Sequence, residues 1–270
     1  MAGKCGRVLL VAASDSGGGA GIEGDIKTVT ALGGYATTAI TALTAQDSKG
    51  IHGIHDISPQ FVARQMRAVL GDIGADAIKT GMLGRAGVVS AVCEVIEEQG
   101  RGVPLVVDPV MVSTSGVALL DEVGIDCLKA RLLPMASLVT PNIPEAERLS
   151  GRNIGNLEDM GAAAADILAT GVGAVLIKGG HLPGEVVRDL LVWPGGEKIF
   201  EQPRIDTDNT HGTGCALASA VATGLAQRLE LADAVARARA YLQGAIAQAK
   251  GFGEGHGPLA HGFAIPPFKI

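Results

Sequence analysis

Aromatic residues make up only 3% of the 270-residue chain. Any core must therefore be packed from Ala, Val, Leu and Ile, and the 47% hydrophobic content is ample for one. Cysteine is sparse and unpaired in pattern. Cys5, Cys93, Cys127 and Cys215 form no CxxC motif, which argues against structural zinc and fits a reducing compartment. No apolar run approaches the ~18 residues that cross a membrane, and the first one is closed at once by Asp15. Basic charge is not in excess either. The net charge is −6, which argues against nucleic acid as a partner. The expectation is a cytoplasmic protein without membrane contact. A Walker A loop is also missing, because the nearest approach, from Gly74 to Lys79 and Thr80, lacks the second glycine. An ATP site would have to use another device.

What is present is a regular alternation. Residues 8–13 read as a buried strand and 21–32 as the helix after it, and the β-branched run at 35–45 reads as a second strand. Residues 59–70 have helical spacing. Short apolar runs at 77–78, 105–107, 138–139 and 174–177 are further strands separated by helical patterns. Such repetition predicts an α/β fold, with a central mainly parallel sheet flanked by helices on both faces. Residues 187–192 and 198–200 around Pro-Gly-Gly predict a terminal antiparallel hairpin, two helices at 213–227 and 231–249 close the fold, and the tail from Gly251 is irregular. With no linker or repeat, residues 1–270 are expected to form one domain.

The 39 glycines cluster, and two clusters invite a ligand. Gly19, Gly21 and Gly24 match GxGxxG, with Asp47 downstream. The residues Ser14 to Gly18 intervene between strand and motif, however, so a dinucleotide site fits poorly. The second cluster, NTHGTGC at 209–215, opens a helix. Backbone N–H groups from Gly212, Thr213, Gly214 and Cys215 would converge at the helix's positive end, a site suited to phosphate or to a transferring phosphoryl group. A glycine-rich helix entry with no ligand is the plainer alternative.

NTHGTGC, SDSGGGAGIEGD, TALTAQD, KTGML, VVDPVM, TPNIPEA and VLIKGGH follow one another in the order found in hydroxymethylpyrimidine/phosphomethylpyrimidine kinases of thiamine biosynthesis. Over nearly its whole length the chain resembles this family, which lies in the ribokinase-like superfamily. The resemblance implies a ribokinase-like fold, ATP and Mg2+ as cofactors, a homodimer, and transfer of phosphate to the pyrimidine and then to its monophosphate. It implies Cys215 as catalytic base, and a thiol at a helix N-terminus is expected to have a lowered pKa; a buried structural cysteine is the alternative. Lys178 would hold ATP phosphates, although alone it reads as a strand-end lysine. Asn142 and Glu145 match a metal–phosphate motif and equally a helix-capping pattern. Asp108 is a second metal candidate, or a turn former before proline.

For the substrate ring the resemblance points to Asp25, Gln46, Met82, Val110 and the backbone near Ala20. Asp25 would also suit a helix's first turns, and Met82 would suit ordinary core packing. His211 is assigned no chemistry, while His256 and His261 read as structural. The chain departs from the family at Ala13, where glycine is usual, and at Val117 in Ser115-Gly116-Val117, where the family's flap often carries an acid. A pyridoxal kinase is the nearest alternative, and a catalytically silent sensor on the same fold is a different class.

Overall fold

A computed structural model describes residues 5–113 and 116–266. Nine strands form one sheet in the order β3-β2-β1-β4-β5-β6-β7-β8-β9. β1 (Arg7–Asp15) lies at its heart, with β2 (Tyr35–Gln46) on one side and β4 (Ala77–Thr80) on the other, both parallel to it. β5 (Leu105–Val107), β6 (Leu138–Val139) and β7 (Val175–Ile177) extend the parallel run. β8 (Val186–Trp193) and β9 (Gly196–Pro203) form the expected antiparallel hairpin at one edge. The other edge holds β3 (Ile51–Asp56), an antiparallel strand absent from the sequence reading.

Alternation along β1 divides the core. Leu9 and Val11 face one side, together with α2 (Pro59–Asp72), α3 (Ala86–Gln99), α4 (Glu122–Cys127), α5 (Ile143–Ser150) and α6 (Leu157–Leu168). Val8 and Leu10 face the other, against α1 (Gly21–Ala31), α7 (Thr213–Ala226) and α8 (Leu231–Ala247). Both faces of the parallel strands are covered, so these strands read as continuous apolar runs. α7 is nearly all Ala, Val, Leu and small residues, and its buried positions run around most of its circumference. Such a helix belongs in the interior. Among the described residues no helix is long and apolar enough to cross a membrane.

The six parallel strands end on one edge of the sheet, and the loops leaving them converge there. This is the edge at which open α/β sheets bind ligands. Among the described residues of the tail, 251–266, there is no helix or strand, but its histidines are tied in. His261 is buried against Thr28 Oγ1 and the Gly19 carbonyl, both at 3.2 Å.

Candidate active site

At this edge lies a cavity of about 740 Å3. Its floor is the entry to α7. Gly212 caps that helix in the left-handed region, with φ 85°, and a Cβ there would collide with the Gly19 carbonyl oxygen. Only glycine meets both demands. Gly21 has φ 54°, and a Cβ there would strike the Ala13 carbonyl. The glycines of the GxGxxG stretch thus let the first loop close on strand β1 and on the α7 entry. They do not form a dinucleotide turn.

Opposite α7's first turn stand two charged groups from neighbouring strand ends. Lys178, just past β7, donates from Nζ to Asp108 Oδ1 at 3.0 Å, and Asp108 follows β5. Thr140 Oγ1 lies 3.3 Å from the same Asp108 oxygen. A Cβ on Gly214 would sit 3.1 Å from Lys178 Nζ, so the lysine's head rests directly over the loop. Burial works against the Lys178 charge, but Asp108 and Glu145 overcome it and hold its pKa above the ordinary lysine value.

Asn142 and Glu145 form a capping box at the start of α5. Asn142 Oδ1 accepts from the Glu145 N–H at 2.9 Å, and Glu145 Oε2 accepts from the Asn142 N–H at 2.8 Å. The capping reading therefore holds, and both residues also line the cavity. Burial and the nearby Asp108 charge push Glu145 up to about 7, although Lys178 and backbone N–H groups oppose the shift.

Ala20, Gln46, Met82, Val110, Asp108, Asn142, Glu145, Lys178, Gly212, Thr213, Gly214 and Cys215 all line this one cavity. Ala13 lines it too. The Val117 N–H bonds Ser113 Oγ at 2.9 Å; Ser115 lies outside the described residues.

Two expectations need correction. Asp25 does not line the cavity; it is fully buried beneath it, accepting from Lys79 Nζ at 2.7 and 2.9 Å and from Ser219 Oγ at 2.7 Å. Its carboxylate is consumed by these partners. The Cys215 thiol is not lowered but pushed up to about 11, chiefly by burial, which outweighs the nearby Lys79 charge. The helix terminus alone does not overcome desolvation.

The sequence reading missed Asp15 and gave His211 no role. Asp15, ending β1, accepts from His211 Nε2 at 2.8 Å and from the N–H groups of Gly17, Gly19 and Ala20 at 2.8, 3.1 and 2.9 Å. Burial would raise its pKa, but His211 and the backbone donors hold it below the usual carboxylate range. His211 also reaches the Gln46 amide at 3.4 Å. Asp15, Gln46 and His211 make one polar wall beside Ala20, and the signal for it was an Asp one residue ahead of the Gly17–Gly19 run.

Arranged this way, the cavity offers an anion loop, a fixed cation, two buried carboxylates and a mixed apolar and polar wall for a flat ring. The phosphomethylpyrimidine kinase family model matches residues 15–260. The chain is 51% identical to the thiamine biosynthesis bifunctional protein ThiED of Geobacter sulfurreducens over 95% of its own length and 52% of that protein's. It spans about half of that relative. It is 46% identical to the hydroxymethylpyrimidine/phosphomethylpyrimidine kinase of Streptomyces coelicolor over 96% of this chain and 95% of the relative. The structure of the Staphylococcus aureus pyridoxal kinase in complex with AMP-PCP and pyridoxal superposes with a TM-score of 0.88 at 32% identity, covering 97% of this chain and 96% of that one. A ribokinase-like fold, a cavity at the strand ends and a match over most of the sequence lead to one conclusion: the chain belongs to the phosphomethylpyrimidine kinase family.

Proposed function

We propose that the chain transfers the γ-phosphoryl group of ATP to the hydroxymethyl oxygen of 4-amino-5-hydroxymethyl-2-methylpyrimidine, and then phosphorylates the resulting monophosphate. The observation that carries this reading is the single cavity. It places the Gly212–Cys215 loop and Lys178 beside Gln46, Met82 and Val110. A reacting hydroxyl bound against the ring wall then faces the phosphoryl group held by loop and lysine.

In the first step the substrate oxygen forms a bond to phosphorus as the bond to the ADP oxygen breaks. The hydroxyl proton passes to the Cys215 sulfur, which must reach the thiolate form to accept it. N–H groups at the start of α7 and the Lys178 ammonium meet the charge on the phosphoryl oxygens. Asp108 and Glu145 suit a magnesium ion, because burial and then the neighbouring Asp108 charge push Glu145 up to about 7, and a divalent cation would relieve both. A magnesium ion held by these two residues would supply positive charge against the phosphates of ATP. We further propose that the chain acts as a cytoplasmic homodimer, as the family resemblance implies.

Pyridoxal is the second reading, favoured by the likeness to the staphylococcal pyridoxal kinase. The deciding experiment measures ADP release with ATP and magnesium on hydroxymethylpyrimidine, its monophosphate and pyridoxal. Turnover on both pyrimidines above that on pyridoxal is expected. Preference for pyridoxal would move the assignment to vitamin B6 salvage, and silence on all three would point to a sensor.

A further inference from the structure

Beneath the cavity floor lies a second ion pair that the reaction as described leaves unused. Lys79, on β4, and Asp25, on α1, are both fully buried, and the ammonium contacts both carboxylate oxygens at 2.7 and 2.9 Å. A buried pair of this kind is weak evidence of a contribution to stability, since apolar residues of like volume do as well or better. Its position is more informative.

α1 and α7 run side by side, and Ser219 Oγ on α7 donates to Asp25 Oδ1 on α1 at 2.7 Å. Ser219 lies four residues beyond Cys215 on α7, about 6 Å along the axis. The Lys79 ammonium shares Asp25 with Ser219, so it sits roughly one helical turn below Cys215. Asp25, Lys79 and Ser219 are all closed to solvent, so little water screens that charge. A Cβ on Gly81 would come within 3.0 Å of Lys79 Nζ, and this glycine leaves room for the head group at the strand end.

We propose that Lys79, held in place by Asp25 and Ser219, is a positioning residue for phosphoryl transfer, its buried positive charge making the Cys215 sulfur competent to take the substrate proton. The inference rests on the reading of Cys215 as proton acceptor. Four charged groups act on that sulfur: Lys79 from β4, Asp25 from α1, Asp108 after β5, and Lys178 after β7. Lys79 favours the thiolate and Asp25 opposes it. The two members of one salt bridge thus pull the sulfur in opposite directions, so removing either charge has a direction fixed in advance.

The test is the pH dependence of iodoacetamide alkylation at Cys215, followed by peptide mass spectrometry because Cys5, Cys93 and Cys127 are also free thiols. Lys79→Met should move the alkylation profile to higher pH, slowing the reaction roughly tenfold at a fixed pH on its rising limb. Asp25→Asn should move it to lower pH by a similar factor. Displacement of both variants in one direction, or of neither by more than about twofold, would overturn the proposal. If Lys79→Met fails to fold, Asp25→Asn decides alone, with a shift to lower pH supporting the proposal and any other result overturning it. Alkylation needs no turnover. If the profiles shift as expected while Cys215→Ala keeps its first-step rate, the tuning stands and the role of Cys215 as acceptor fails.

Discussion

Cys215 carries different loads in the two proposed steps. A hydroxymethyl oxygen must lose a proton as it attacks, whereas a phosphate monoester, with its second pKa near 6, already presents an anionic oxygen at neutral pH. Cys215→Ala should therefore lower kcat on hydroxymethylpyrimidine by roughly 10^2 to 10^4, while the monophosphate loses less than about tenfold, read as ADP release on each substrate. Equal losses on both would remove the proton-acceptor role. With the thiol pushed up to about 11 by burial, only a small thiolate fraction exists near neutrality. The first-step rate should climb about tenfold per pH unit through the mildly alkaline range, and the second should stay nearly flat. Gly212 is the other decisive residue. Gly212→Ala meets a φ of 85° and a carbonyl in the way; it should cost about 1–3 kcal/mol of stability and at least ~10^2 in turnover, checked by denaturant unfolding beside kinetics. At this scale the sequence was legible where a residue's neighbours in the chain determine its role, as in the Gly212–Cys215 loop. It misled at Asp25, because the partner that consumes the carboxylate, Lys79, lies 54 residues away and no local pattern announces it.

Among the elements, the parallel strands were the easiest to read. Runs such as Leu105–Val107 and Val175–Ile177 are buried on both faces and have no polar positions to confuse the pattern. β3 was missed for the opposite reason. Its sequence IHGIHD is exposed along nearly its whole length, so neither face gives an apolar alternation, and only pairing with β2 makes it a strand. α5 shows how one signal serves two purposes, since its capping box fixes Glu145 as both helix cap and cavity wall. Its carboxyl is pushed up to about 7 by burial and by Asp108, from an ordinary 4.5. Between those values the folded protein holds a proton that the unfolded chain has lost, so stability falls as pH rises through that window. Glu145→Gln retains a hydrogen-bond acceptor and removes the titration. Thermal melts of ligand-free protein from about pH 4.5 to about pH 7 should show a decline in the parent chain that is flattened in the variant. Parallel pH slopes would show that Glu145 ionises normally.

Across the whole molecule, the cavity joins the two halves of the core. Met82, Asp108 and Lys178 arrive from strand ends and Glu145 from a helix packed on one face, while Gly214 and Cys215 arrive on α7 from the other. A ligand spanning ring wall and anion loop therefore contacts elements from both layers at once, and whatever binds the folded form alone adds stability by mass action. At about one hundred times its dissociation constant a single ligand contributes about 2.7 kcal/mol, which for a chain of this size corresponds to a melting shift of roughly 5 °C. AMP-PCP with magnesium and hydroxymethylpyrimidine, each given alone at such an excess, should each raise the melting temperature by this order. Given together they should raise it by at least the sum in free energy, because each ligand completes a wall for the other. NAD at the same concentration should leave the melt unmoved, since the glycines at 19, 21 and 24 are occupied in closing the first loop onto β1 and α7. A shift with NAD and none with AMP-PCP would assign those glycines to a dinucleotide and remove the anion loop from the nucleotide site.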